Sequence, residues 1–403
     1  MTPRPIATSS VTLTGPVPAV RVIVLLIAVV MLAFSAMAVV PPWSMTALLP
    51  AVVSRELSPL VVLLDIGAAV VAARVLRARG ARTIVVVLLL VGAVGAARPL
   101  LELPGVINRA AGQLANLATA TRQPGAPTAF DAGTALRAIP SPAEIDERRI
   151  SYRAADGTPL TLRLFRAPGT ALRPAIVIIY GGAWRSGDAM QAADASRGYV
   201  ARGYTAVAVD YRHAPAHPYP AALDDVRRSL ALVRDSAVAW GIDTTRIALL
   251  GRSAGGHLAE LSAYSPGAPR VAAVVAIYAP HDLVRGYRDI PSPDPIDARA
   301  VLRGFLHGTP DSDPARYRAA SPSSWVRAGV PPTLLVFGGE DHLVQPEFNR
   351  GAARSLRAAG VPVVAVELPW AEHGFDLVPG GIGGRIAFNA TTAFLDRVMP
   401  ATR

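Results

Sequence analysis

The chain has 403 residues, of which 51% are hydrophobic and only 17% charged. Soluble globular domains carry about 25% charged residues, so part of this chain is built to avoid water. Cysteine is absent and all 40 basic residues are arginine. That excludes disulfides, thiol nucleophiles, Cys-ligated zinc, Fe–S clusters, a P-loop lysine and a pyridoxal Schiff base. The formal charge of +11 is uneven: residues 1–140 hold 11 Arg against 4 acids, and residues 141–403 hold 29 against 25. An excess of arginine among the most apolar residues, with no basic run interleaved with aromatics, points to a membrane and away from nucleic acid.

Residues 1–103 read as a membrane region with about three transmembrane helices. Val22–Val40 is an uncharged apolar run of 19 residues, close to the ~20 that cross a bilayer. Pro41-Pro42-Trp43 ends it, with Trp43 suited to the interface. A second span covers about 57–75 and a third about 83–101, the last continuing past Arg98 if that side chain snorkels. Asp65 lies near the middle of the second span and is read as a structural hydrogen-bonding group. Arg4, Arg21, Arg74, Arg77, Arg79 and Arg82 flank the spans on one side, against Arg55, Arg98 and Arg109 on the other. The positive-inside rule then puts the N-terminus and the second loop in the cytoplasm, and everything after the third span outside it. The expected location is therefore the cell membrane, multi-pass, with the C-terminal part extracytoplasmic.

Residues 104–145 read as a linker. Val106–Leu117 has the spacing of an amphipathic helix suited to a membrane surface, and Gln123–Pro142 is a Pro/Gly/Ala/Thr-rich tether. From 146 to 403 the pattern changes. Arg149–Ala154 and Leu160–Arg166 flank an Asp156-Gly157 turn, as in a hairpin. Apolar runs then recur at Ala175–Ile179, Thr205–Val209, Ile247–Leu250, Val271–Ile277, Thr333–Phe337 and Val363–Val366. Between them lie helical patterns at Asp188–Arg202, Ala221–Trp240, Ala254–Ala263, Pro346–Ala359 and Arg385–Val398. This alternation predicts an α/β fold with a mostly parallel sheet. The Pro- and Arg-rich stretch 281–330 breaks the rhythm and reads as a substrate-shaping excursion over the sheet edge.

Four segments at strand ends carry chemistry. Gly251-Arg252-Ser253-Ala254-Gly255 is a G-x-S-x-G pattern between strand and helix, which exposes the serine at a helix N-terminus. Tyr180-Gly181-Gly182-Ala183-Trp184 offers glycines through which backbone N–H groups can approach a substrate oxygen. Glu340-Asp341-His342 supplies an acid just past a strand, and Glu372-His373-Gly374-Phe375 a histidine. The order Ser253…Asp341…His373 matches that of a nucleophile, acid and base on such a sheet. His257 reads as a packing residue. His213 and His217 lack a third ligand at metal-binding spacing, so neither a metal nor a cofactor is expected.

Residues from about 148 to 400 resemble the hormone-sensitive-lipase-like carboxylesterases, including their xylan-esterase-like relatives, within the α/β-hydrolase superfamily. The resemblance rests on 180–184, Asp210–Pro215, Tyr219–Val226, Gly251–His257, Ser321-Pro322, Asp341 and 372–375. It departs at Tyr180, where the family usually has the His that braces the oxyanion loop. The resemblance implies an α/β-hydrolase fold and a serine hydrolase acting on esters. It selects Asp341 over its neighbours Glu340 and His342 as the acid, giving a Ser253, Asp341, His373 triad. Oxyanion donors are expected from Gly181, Gly182 and Ala254, with Asp210, Tyr211 and Arg212 bracing the loop. Expected partners are a small-molecule or lipid ester and the lipid bilayer. Acyl transfer, amide cleavage, or binding on an inactivated hydrolase fold are the alternatives.

Overall fold

The computed structural model describes residues 18–120 and 129–399; Arg4 and the 121–128 stretch of the expected tether lie outside the described residues. Five helices open the chain: α1 (Pro18–Ala36), α2 (Met45–Glu56), α3 (Ser58–Val75), α4 (Arg79–Ala96) and α5 (Arg98–Ala120). Three helical stretches, Ala19–Ala36, Ser58–Val75 and Arg79–Leu117, are long and apolar enough to cross a membrane by length and composition. Helices α1, α3 and α4 pack on one another where small residues such as Ala28, Ala69 and Ala72 let their backbones approach. Their outward faces leave Leu26, Val29, Leu63, Val91 and Val94 exposed. Inside the bundle, the Ser35 hydroxyl donates to the buried Asp65 carboxylate at 2.6 Å, which is the structural role expected for that acid.

The remaining residues build one eight-stranded sheet. Strands β1 (Asp146–Arg153) and β2 (Pro159–Arg166) form the expected hairpin, followed by β3 (Arg173–Ile179), β4 (Thr205–Val209), β5 (Ile242–Arg252), β6 (Ala273–Ile277), β7 (Thr333–Gly338) and β8 (Val363–Leu368). The spatial order is β1-β2-β4-β3-β5-β6-β7-β8. From β4 to β8 the neighbours are parallel, and only β2, antiparallel to both β1 and β4, runs against the rest. The apolar runs are continuous because both faces are covered: in β3, Ala175, Val177 and Ile179 enter one core layer while Ile176 and Ile178 enter the other. The short α6 (Ala132–Ala135) precedes the hairpin, and α7 (Ala193–Ala201) links β3 to β4. Helices α8 (Ala221–Asp235) and α9 (Ala237–Trp240) link β4 to β5, and α10 (Ala254–Tyr264) follows β5. Between β6 and β7, α11 (Leu283–Arg288), α12 (Ala298–Leu306) and α13 (Pro314–Ala319) form the expected excursion. Helix α14 (Pro346–Ala358) separates β7 from β8, and α15 (Ile382–Val398) closes the chain.

The two halves meet in ways that hydropathy did not reveal. The third apolar stretch is divided at Ala97 into α4 and α5. α4 ends at Ala96, and Arg98, expected to snorkel, opens α5 paired with Glu102 at 3.0 Å and Glu340 at 2.7 Å. Residues 104–120, read as the first part of a linker, belong to α5. Its apolar face (Val106, Ile107, Ala110, Leu114) is buried with Val364, Val366 and Phe394 rather than on a membrane surface. Gln113 completes the edge of β8: its amide donates to the Ala365 carbonyl and accepts from the Ala365 N–H, both at 2.8 Å. A side-chain amide thus stands where a ninth strand would pair, blunting an otherwise open edge.

The first loop, too, is a helix. α2 starts on the Ser44 hydroxyl, which accepts the Ala47 N–H at 3.2 Å, and its last turn docks on the α/β half. There the Glu56 carboxylate accepts the Gly383 N–H at the start of α15, at 2.5 Å. A Cβ on Gly383 would lie 2.8 Å from both Glu56 Oε1 and a Phe375 ring carbon, so the acid seats where a side chain would crowd it. Burial pushes the Glu56 pKa up to about 8, and the nearby Asp376 charge adds to the rise. From the ordinary value of 4.5 up to about 8, the unfolded chain therefore ionises this group while the folded chain does not. Stability falls as pH climbs through that window and levels off above it. Glu56→Gln is expected to flatten this fall: its melting temperature should drop less between pH 5 and pH 8.5 than the wild type's. Thermal denaturation across that range checks this, and equal pH slopes would contradict the assignment.

Candidate active site

The loops after β3, β5, β7 and β8 converge at the carboxyl edge of the sheet, where open α/β sheets bind ligands. Ser253 follows β5 with φ 52° and ψ −123°, a left-handed conformation enforced by crowding on both sides. A Cβ at Gly251 would sit 2.1 Å from the Gly255 carbonyl oxygen, and one at Gly255 2.2 Å from that of Ile179. The glycines two residues before and after the serine are therefore required, and the turn holds Oγ clear of the backbone. His373 Nε2 lies 2.9 Å from Ser253 Oγ, and its Nδ1 lies 2.8 Å from Asp341 Oδ2. Asp341 Oδ1 accepts the N–H groups of Leu343 and Val344 at 2.8 and 2.7 Å. The three residues singled out in sequence are thus one hydrogen-bonded line. Burial alone would lower the His373 pKa, but the Asp341 charge, with Glu372 and Asp376 behind it, holds it above the ordinary histidine value.

The glycine loop after β3 lies against this turn; a Cβ on Gly181 would approach the Arg252 carbonyl oxygen to 2.8 Å. One expectation is corrected here. The Gly181 N–H does not face a substrate oxygen, because it donates to Gln191 Oε1 at 2.8 Å. Among the described residues, the N–H groups of Gly182, Ala183 and Ala254 have no protein acceptor. Ala183 was not singled out in sequence; its φ of 53° follows Gly182 at 142° and turns the loop back over the serine. Tyr180, the departure from the family pattern, is buried and stacked on Tyr211 at 4.4 Å. Its hydroxyl donates to Asp210 Oδ1 at 2.6 Å and lies 2.8 Å from His213 Nε2. The phenol therefore braces the loop from the segment that the resemblance assigned to bracing. Arg212 supports that segment through paired contacts to Asp225 at 2.8 and 2.9 Å. His257 accepts the Trp184 indole N–H and faces the Ala320 carbonyl oxygen, with burial lowering its pKa to about 4. It is a packing residue, as expected.

Sequence reasoning missed the layer behind the triad. Glu372 is fully buried, and its Oε1 accepts the N–H groups of His342 and His373 at 2.7 and 3.0 Å. Its Oε2 meets the His342 ring at 2.7 Å and Arg55 at 3.0 Å. Burial works against its charge, yet these donors hold its pKa below the ordinary glutamate value. Arg55 also donates to the Ala38 carbonyl, beyond the end of α1. On the other side, Asp376 accepts from Arg252 and from Tyr278, whose ring lies 4.4 Å from that of His373. Nothing in the residue types of 55 and 372, 317 positions apart, signals their pairing. A cavity of about 450 Å³ opens over Ser253 and His373, with walls that include Leu283 and Leu302 from the excursion and Leu48 and Val52 from α2. No cluster of metal ligands occurs among the described residues.

A mostly parallel sheet, a strained serine between strand and helix, and acid and histidine on the later strands define an α/β-hydrolase. The BD-FAE family model matches residues 164–355. The chain is 33% identical over 275 residues to Esterase LipC of Mycobacterium tuberculosis, covering 63% of this chain and 66% of LipC. It is 31% identical over 263 residues to Carboxylesterase NlhH of Mycobacterium tuberculosis, covering 60% of this chain and 80% of NlhH. A solved bacterial heroin esterase superposes with a TM-score of 0.54 at 27% identity, covering 64% of this chain and 85% of that one. The chain belongs to the hormone-sensitive-lipase-like carboxylesterase family. It spans between 53% and 66% of the length of the mycobacterial esterases LipC, LipM and LipQ.

Breaking the Arg55–Glu372 pair from one side leaves a buried carboxylate with less compensation, a change that costs about 3–5 kcal/mol in buried pairs. Arg55→Met is expected to be destabilised on that scale, and the double variant Arg55→Met/Glu372→Gln to recover part of the loss. Denaturant melts of both single variants, Arg55→Met and Glu372→Gln, and of the double variant measure this, and strictly additive losses would contradict the coupling.

Proposed function

We propose that this chain is a membrane-anchored serine hydrolase that cleaves carboxylic esters through an acyl-enzyme. The observation that carries the reading is the unbroken relay from Ser253 Oγ through His373 to Asp341, with the serine held in the left-handed region. His373 Nε2 takes the Ser253 proton as Oγ bonds to the ester carbonyl carbon, and then gives it to the departing alcohol oxygen. Water attacks the acyl-enzyme by the same route in reverse, returning the proton to Oγ and releasing the acid. Asp341 holds the imidazole in the tautomer that presents Nε2 and stabilises its protonated form. The N–H groups of Gly182, Ala183 and Ala254 are the oxyanion donors in this reading. Gly181 is released from that role by Gln191.

Ser253→Ala is expected to abolish p-nitrophenyl butyrate hydrolysis and fluorophosphonate labelling while the melting temperature is retained. Asp341→Asn should lower kcat by about 10⁴-fold, since the imidazole then favours the wrong tautomer. The raised His373 pKa places the acidic limb of the wild-type pH–rate profile above the ordinary histidine value, with activity rising as His373 loses its proton. A well-folded wild type that neither labels nor turns over esters would point instead to binding on an inactivated hydrolase fold.

The membrane placement is supported by parity as well as by charge. α2 precedes the second and third apolar helices and yet touches the catalytic half through Arg55 and Glu56. Both must lie on one side of a bilayer, which requires an even number of crossings between them, and α3 and α4 supply two. Arg77, Arg79 and Arg82 lie at the opposite end, between α3 and the first turn of α4, the cytoplasmic side by the positive-inside rule. The chain is then multi-pass in the cell membrane with its catalytic domain extracytoplasmic. In right-side-out vesicles, residues 148–399 are expected to be cut by added protease without lysis. Protection until lysis would reverse the orientation.

A further inference from the structure

We propose that α2 is a wall of the substrate cavity and fits it to an ester whose long acyl chain resides in the bilayer; this rests on the ester-hydrolase and membrane reading above. Met45, Leu48, Leu49 and Val52 of α2 line the cavity that holds Ser253 and His373. Their spacing of three, four and seven residues places them on one helical face, and none is polar. Leu283, Val301 and Leu302 line the same cavity from the excursion. A chain held between these walls meets hydrocarbon on both sides, and each methylene buried is worth about fourfold in binding.

The rim of the cavity gives the direction of entry. Leu48 and Val52 are buried, whereas Met45, Leu49 and, from the histidine side, Leu377 are 49%, 67% and 45% exposed. Large apolar side chains at an open mouth suit contact with hydrocarbon better than with water. The helix that carries this rim is connected in the chain to apolar helices on both sides, since α1 ends at Ala36 and α3 begins at Ser58, two residues after α2 stops at Glu56. An acyl chain can therefore pass from the bilayer into the cavity without crossing water. The Arg55–Glu372 contact fixes this wall to the loop that carries His373, and the Glu56–Gly383 contact fixes it to the start of α15.

The test uses the full chain reconstituted in phosphatidylcholine vesicles. With p-nitrophenyl esters from acetate to dodecanoate, kcat/KM is expected to rise with chain length. The dodecanoate-to-acetate ratio should fall at least tenfold in Leu48→Ala/Leu49→Ala and stay at the wild-type value in Leu172→Ala, an exposed leucine outside the cavity lining. Because the readout is a ratio within one sample, partial unfolding of a variant does not alter it. With 4-methylumbelliferyl palmitate as probe, turnover should be at least tenfold faster when ester and protein share a vesicle than when they occupy separate ones. Acetate turnover with an unmoved ratio, or equal rates in shared and separate vesicles, overturns this proposal alone. Absence of both turnover and fluorophosphonate label at Ser253 overturns the hydrolase reading and this proposal with it.

Discussion

A single buried carboxylate, Glu372, holds the acid loop, the histidine loop and the N-terminal helices in one arrangement. Its two oxygens gather the backbone of His342 and His373, the His342 ring and the Arg55 guanidinium. Such a charge is tolerated inside a protein only when its lone pairs are met and an opposite charge is near. The cost of leaving it otherwise ties three distant segments together. Asp341 and His373 can then meet at 2.8 Å, because the residues beside them are already fastened to the same group.

The serine turn depends on an opposite principle, absence of side chains. Gly251 and Gly255 clear the space that a neighbouring carbonyl needs, and the strain of Ser253 is over-determined by the strand before it and the helix after it. The β3 loop is kept in place by polar contacts instead. Tyr180 performs this bracing with a phenol, reaching Asp210 and His213 while its ring stacks on Tyr211. Gln191 holds Gly181 by both its N–H and its carbonyl oxygen, which shifts the available N–H groups one residue along the loop. Hydrogen-bond capacity, rather than residue identity, decides which amides are left to meet a substrate.

The N-terminal helices are more than a tether in this packing. α5 covers the open edge of β8 with an apolar face and one glutamine. α2 seats Glu56 among the glycines that open α15. Each contact satisfies a group that would otherwise be costly: an unpaired strand edge or unbonded N–H groups at a helix start. Both also limit how far the apolar helices can move relative to the triad.

By itself the sequence determined the elements that follow from local chemistry. Continuous apolar runs gave the six parallel-side strands within a few residues, and glycine spacing marked the serine turn. Helix-length apolar segments were equally plain, because hydropathy is a property of a stretch and not of its surroundings. Only the tertiary structure decided the rest. The first loop became a helix because its apolar face has a cavity to line and its Arg55 and Glu56 have buried partners far along the chain. Arg98, expected to snorkel, is instead paired because Glu340 stands within reach. Gly181 lost its expected part because Gln191 folds back onto it. Pairings across ten to more than three hundred residues depend on distances that a linear pattern does not contain, and satisfying buried polar groups is what fixes them.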